Sequence, residues 1–320
     1  MPEYTPRFPA EHSDLALRGL RHRIHAWGDP AAPPLFLLHG WVDTGMSFQF
    51  LADHLASRWR VIAPDWRGFG DSAWDANGYW FPDYLADLDA LLAQISPDRP
   101  ASVIGHSMGG NVAWLYAGIR PERISHLVSL DVAGLRDNPA DEAPARYAKW
   151  LAQLRDPARF SPLVDFDAAL ALVGKLAPGL EPGRAKFLAH QWARPAADRQ
   201  RRLPHDPRHK HVNPVLYRRD EARACWRRIA ARILLVLARN GQAFEKWESQ
   251  LRADLLECIP HLQTAVLDCG HMVHVERAEE LVARMVPAEQ ISSSAWKTSC
   301  LIFMISGAAS ITRSTSLNGS

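Results

Sequence analysis

The sequence predicts an α/β fold, a mostly parallel central sheet with helices on both faces. Two observations carry the prediction. From Pro34 to Leu130, short apolar runs of strand length alternate with helix-length runs, the order that parallel strands joined by crossover helices require. Within that alternation, Ser102-Val103-Ile104-Gly105-His106-Ser107-Met108-Gly109-Gly110 takes a β-branched strand straight into helix-compatible residues, with a Gly-x-Ser-x-Gly pentad at the junction.

Leu15 to Leu20 and Arg23 to Trp27 read as an opening hairpin with basic residues at its turn. Gly28-Asp29-Pro30 breaks the chain, and Pro34 to Leu38 is then a buried strand ending at His39-Gly40-Trp41. Phe48 to Ser57 has helical spacing and feeds a second buried strand, Trp59 to Ala63. The glycine-rich loop from Pro64 to Ser72 lacks the spacing and lysine of a phosphate-binding loop, so it reads as a structural turn. Pro82 to Ile95 is an amphipathic helix. After the pentad, Met108 to Ile119 is helical, and Ile124 to Leu130 is a buried strand ending in Asp131. Strand ends at this edge are where sites of such sheets assemble.

From Gly134 to about Trp226 the alternation stops, and the chain becomes helix-forming, proline-punctuated and rich in Trp and Phe. Residues 134–226 are therefore expected as a helical lid inserted into a core made of residues 1–133 and 227–290. Ile233 to Ala238 resumes the strand pattern, and Trp247 to Leu256 is helical. Thr264 to Leu267 is the last strand, delivering Asp268-Cys269-Gly270-His271-Met272 before a closing helix, Glu276 to Met285. Residues 291–320, serine-rich and poor in charge, read as a disordered or non-native tail.

Composition excludes several classes. A formal net charge of +2 gives no electrostatic reason for a nucleic-acid partner. The arginines between Arg194 and Arg228 are interleaved with Asp198, Asp206, Asp220 and Glu221, as on a solvated face. No apolar stretch approaches the ~20 residues of a membrane span. Cys225, Cys258, Cys269 and Cys300 show no paired spacing, so neither a disulfide frame nor a zinc site is indicated and the cytoplasm is the expected location. The oligomeric state is left open.

The pentad needs partners to do chemistry. A serine at a strand-to-helix turn projects its hydroxyl clear of both elements, beside the free N–H groups of a helix N-terminus that favour an oxyanion. An unassisted hydroxyl is a poor nucleophile near neutral pH; it needs an imidazole, and the imidazole needs an orienting carboxylate.

Taken together, His39-Gly40-Trp41, Asp65-x-Arg67-Gly68-x-Gly70-x-Ser72, Gly105-x-Ser107-x-Gly109 and Gly270-His271 resemble, in kind and order, the α/β-hydrolase fold superfamily, most closely its lidded serine esterases and lipase-like members. The likeness spans roughly residues 15 to 286. It implies Ser107 as nucleophile, His271 as general base, and the backbone N–H groups of Trp41 and Met108 as oxyanion hole. Many members carry the acid just after the strand corresponding to Ile233 to Ala238, where this chain has Arg239-Asn240-Gly241-Gln242. Others carry it after the earlier strand, which points to Asp131; Glu245 and Glu248 are alternatives. His274 is an alternative base, and His39 reads as a brace for the oxyanion loop. Arg208, His209 and Lys210 read as a solvated face of the lid, with an anion site as the alternative. Trp80, Phe81, Trp150, Phe160, Phe166, Trp192 and Tyr217 suit an apolar acyl or aryl group or are plain core. The implied activity is hydrolysis of a small carboxylic ester through an acyl-enzyme, without metal or organic cofactor. C–C bond hydrolysis, amide hydrolysis, perhydrolysis and non-catalytic ligand binding are the competing readings.

Overall fold

The computed structural model describes residues 3–132, 134–156, 159, 162–163, 165–195, 201–246 and 252–285. The expected tail at 291–320 lies outside them. Strands β1 (Glu11–Leu17) and β2 (Leu20–Trp27) form the opening hairpin. Its turn is Arg18-Gly19, with φ of 51° and 79°, and not the basic pair that follows. Arg21 and His22 instead lie in β2, opposite Ala16 and Leu15. A two-residue hairpin turn of this kind has left-handed backbone at both central positions, and Gly19 supplies the second at low cost.

Then come β3 (Pro34–Leu38), α1 (Gln49–Leu55), β4 (Arg60–Pro64), α2 (Phe81–Ile95), β5 (Ala101–His106), α3 (Met108–Ile119) and β6 (Ile124–Leu130). The helix expected from Phe48 is a 3₁₀ turn, Gly45–Phe48, running into α1. The segment between β6 and β10 holds α4 (Ala143–Arg155), β7 (Pro162–Leu163), α5 (Phe166–Leu176), α6 (Pro182–Trp192), β8 (Arg194–Pro195), β9 (Arg201–Arg202) and α7 (Arg219–Trp226). The chain returns through β10 (Arg232–Ala238), α8 (Gln242–Lys246), α9 (Arg252–Cys258), β11 (Gln263–Leu267), α10 (Val273–Glu276) and α11 (Ala278–Met285). The expected helix from Trp247 begins outside the described residues, and the expected closing helix is divided between α10 and α11.

Eight strands form one sheet in the order β1-β2-β4-β3-β5-β6-β10-β11. It is parallel from β4 to β11 and antiparallel at β1 and β2. Strand side chains alternate between two apolar clusters. Leu234, Val236 and Ala238 pack with Phe50, Leu51 and Leu281 of α1 and α11. Ile233, Leu235 and Leu237 pack with Leu88, Trp114 and Trp226 of α2, α3 and α7. Full burial of each such side chain stabilises by ~1.5–3 kcal/mol, and two covered faces explain why the inner strands read as continuous apolar runs. Among the described residues no helix is long and apolar enough to cross a membrane.

Candidate active site

β5 ends at His106 and α3 begins at Met108, leaving Ser107 alone to turn the chain. Its φ of 50° and ψ of −115° are left-handed, a conformation that costs a non-glycine residue ~1–3 kcal/mol. α3 approaches β3 so closely that a Cβ at Gly109 would lie 2.2 Å from the Leu38 carbonyl oxygen. The Ser107 N–H donates to the Leu130 carbonyl at 3.1 Å, which sets the serine beside the end of β6.

Asp131 follows β6 directly, also with a positive φ of 48°. Its N–H donates to the Val236 carbonyl at 2.7 Å, and its Oδ1 accepts from the Ala238 N–H at 3.1 Å. Oδ2 lies 2.7 Å from His271 Nδ1. A carboxylate only accepts, so Nδ1 carries a proton in this pair, and in the neutral imidazole the lone pair is then on Nε2. The acid side chain is 0% exposed and the imidazole 45%, so one edge of the ring is fixed from below and the rest is open. Glu245 lies exposed on α8, and Glu248 is outside the described residues. Among the described residues no hydrogen bond joins the Ser107 hydroxyl to His271.

The loop carrying His271 is held at three places. Asn240 N–H donates to the Cys269 carbonyl at 3.1 Å, Glu276 accepts from the Gly270 N–H at 3.2 Å, and His106 Nε2 lies 2.9 Å from the His271 carbonyl oxygen. His274, one helical step on, is wholly buried, with Nε2 3.1 Å from Ser47 Oγ and 3.8 Å from Asp43 Oδ2. Burial pushes the imidazoles of His106 and His274 below the ordinary histidine range. Among the described residues, Asp43, His106 and His274 also bring together three side chains of metal-ligand chemistry, one donor atom from each lying within 4.8 Å of the others.

His39 braces the loop after β3. Its Nε2 accepts from the Trp66 N–H at 2.9 Å, so its Nδ1 carries the proton and donates to the Gly40 carbonyl at 2.7 Å. Trp66 Nε1 returns a bond to the His39 carbonyl at 3.0 Å. Beyond this loop, a cavity of about 710 Å³ is lined by Trp41, Trp80, Phe81, Met108, Trp150 and Leu154, among others. Trp80 and Trp150 meet edge to face at 5.9 Å. Of the other aromatics singled out from the sequence, Trp192 is buried, Phe166 and Tyr217 pack against the two apolar clusters, and Phe160 lies outside the described residues.

The segment around Arg208 differs from the expected solvated face. The His209 ring is stacked between Phe69 at 3.9 Å and Tyr79 at 3.7 Å. Arg208 Nε bonds the buried Asp206 at 2.9 Å, and Tyr79 OH donates to the same carboxylate at 2.8 Å. Backbone bonds from Gly70 N–H to Pro204 O at 2.7 Å and from Asp206 N–H to Gly68 O at 2.8 Å complete a strap across the glycine-rich loop. Phe69 and Tyr79 are far from residue 209 in the chain, and nothing in the local sequence signals the stack.

Residues 33–278 match the family described as alpha/beta hydrolase fold, and the chain belongs to it. Among curated relatives, a serine hydrolase-like protein of Danio rerio is 39% identical over 114 residues, 35% of each chain. A 3-hydroxybutyrate-oligomer hydrolase of Cupriavidus necator is 35% identical over 144 residues, 43% of this chain and 47% of that protein. Epoxide hydrolase 2 of Siraitia grosvenorii is 33% identical over 135 residues, 41% of each. The matches thus span less than half the length of these relatives. The solved structure of hypothetical protein PA1622 from Pseudomonas aeruginosa PAO1 superposes with a TM-score of 0.75 at 30% identity, covering 86% of this chain and 97% of that one. The family is described as a hydrolase fold, and these three curated relatives are all named as hydrolases or hydrolase-like proteins.

Proposed function

We propose that the chain is a serine hydrolase that cleaves a carboxylic ester with an apolar acyl or aryl group, with Ser107 as nucleophile, His271 as general base and Asp131 as orienting acid. The observation that carries this reading is the 2.7 Å contact between Asp131 and His271 Nδ1, at the strand end next to a serine held in left-handed backbone.

His271 Nε2 takes the hydroxyl proton as Ser107 Oγ attacks the ester carbonyl carbon. Asp131 keeps the proton on Nδ1 and stabilises the imidazolium as it forms. The tetrahedral oxyanion accepts from the N–H of Met108, one of the first-turn donors that have no partner within α3, and from that of Trp41. The imidazolium then protonates the departing alcohol, leaving an acyl-serine. Water attacks the acyl carbon while the same imidazole removes its proton; the imidazolium then gives that proton to Ser107 Oγ as its bond to the acyl carbon breaks, releasing the carboxylic acid and the free serine. The aromatic cavity takes the apolar part of the ester, and the segment 134–226, whose Trp150 and Leu154 line it, acts as its lid. Although epoxide hydrolases are among the relatives, opening an epoxide through an enzyme ester calls for a carboxylate at the elbow, where this chain has serine.

A panel of p-nitrophenyl esters of increasing acyl length tests the reading, together with Ser107→Ala and labelling by a fluorophosphonate read by mass spectrometry. The expected result is turnover in the native protein, a covalent adduct on Ser107 and loss of both in the variant. Native protein that hydrolyses no ester and takes no label, or a Ser107→Ala variant with full activity, overturns it.

A further inference from the structure

Beneath His271, a row of buried polar side chains runs from the inserted segment to the loop that carries the base. Trp192, the last residue of α6, donates Nε1–H to Asp43 Oδ1 at 3.0 Å. Ser47 Oγ donates to Asp43 Oδ2 at 2.8 Å and sits 3.1 Å from His274 Nε2. The His274 ring lies 4.5 Å from that of His106, and His106 Nε2 is 2.9 Å from the His271 carbonyl oxygen. A carbonyl only accepts, so this nitrogen of His106 carries the proton. All five side chains are buried, although they come from four helical or strand elements and the loop after β3.

Such an array is a poor way to stabilise a fold. Buried polar groups contribute little net stability even when paired, and well-packed apolar residues of similar volume often serve as well or better. Here Nδ1 of both His106 and His274 is left without a partner. The array ends, however, on the carbonyl of the one residue whose imidazole must point correctly. His271 is thereby held at two points, the ring at Asp131 and the backbone at His106. Freed from the second, the ring can pivot about its bond to the acid.

We propose that this row positions the His271 loop and couples it to the inserted segment, with His106 and His274 as positioning residues and Trp192 as the contact through which the segment acts on them. The inference rests on His271 being the general base. Displacement of α6 from the core withdraws the Trp192 donor from Asp43 and loosens the row from its far end.

The test uses ester turnover by the full chain, with melting temperatures to verify folding. His106→Phe removes the donor and keeps a ring; His106→Gln keeps a donor near the position of Nε2; Trp192→Phe removes only the indole N–H. The expected result is a kcat lowered ~10- to 100-fold in His106→Phe and Trp192→Phe, the scale of a misplacement of ~1 Å, with KM little changed and most of kcat recovered in His106→Gln. The double variant, His106→Phe with Trp192→Phe, should lose less than the product of the two single losses. Unchanged kcat in the single variants, equal losses in His106→Phe and His106→Gln, or losses that simply multiply overturn the coupling while leaving the esterase reading intact. If His106→Phe does not fold, Trp192→Phe at the far end decides alone. Wild-type protein that neither turns over esters nor takes a fluorophosphonate on Ser107 fails the esterase reading first, and this inference with it.

Discussion

Asp131 and Gly241 occupy one space: a Cβ on residue 241 would lie 2.2 Å from Asp131 Oδ2. The turn after β10 is thus empty of side chain where the carboxylate from the end of β6 needs room. Gly241→Ala should push that carboxylate off His271 Nδ1 and lower kcat by ~10-fold or more, toward the ~10⁴-fold loss seen when a triad acid is replaced by its amide. Ester kinetics measure it, and an unimpaired Gly241→Ala would contradict the shared space.

Asp131→Asn and Glu245→Gln separate the two candidate acids. With Asp131 bonded to the imidazole and Glu245 exposed on α8, the first should lose ~10⁴-fold in kcat and the second should stay near wild type. The reverse order in a steady-state assay would reassign the acid.

Ser107 combines the hydroxyl proposed as nucleophile with a backbone that suits glycine. Ser107→Ala and Ser107→Gly should both lose turnover by ~10⁴- to 10⁶-fold, the scale of nucleophile removal. They should differ in stability, since glycine relieves the strain of a φ of 50° and alanine does not. Denaturant unfolding should place Ser107→Gly above Ser107→Ala by ~1 kcal/mol in unfolding free energy.

The strap makes stability depend on pH. Enclosure lowers His209 to about 3 and His205 to about 4, partly opposed for both by the Asp206 carboxylate and reinforced at His205 by Lys210. An unfolded histidine titrates near ~6.5, so between that value and the folded one the unfolded chain binds the extra proton. The contribution is complete above ~6.5 and is lost as pH falls toward the folded pKa. Melting temperature should drop across this window, and His209→Phe, which keeps a ring in the stack, should flatten the decline.

Trp150 of α4 meets Trp80 edge to face in the wall of the cavity. Trp150→Ala should raise KM for aryl and medium-chain esters while leaving that for acetate esters little changed, shifting the preference toward short chains. Equal effects on all chain lengths would remove this residue from the pocket.

What could be read in advance followed the range of each signal. α3 and β6 coincide with their predicted limits because a pentad, a proline and a continuous apolar run mark them locally. The first hairpin turn falls before the basic pair Arg21-His22, because its position depends on Gly19, the residue able to adopt left-handed backbone at low cost, and not on charge. Asp131 and His271 stand out as residues that end or follow strands. The distances between Ser47, His106, Trp192 and His274 leave no trace in sequence, since each sits on a different element and no period relates them. Gly241 left a visible mark, an Asn-Gly turn, whose meaning depended on a carboxylate more than a hundred positions earlier.

Leu130 is opposite His106 on one side and Val236 on the other, so the strand ends bearing Ser107 and Asp131 are cut to matching lengths. Because side chains alternate across a sheet, one residue inserted between 124 and 130 would send the carboxylate to the far face. The same insertion in the bend from 120 to 123 would be absorbed outside the pairing. Indel tolerance in this protein should therefore change sharply within a few residues, and a library of single-codon insertions would trace that boundary along β6.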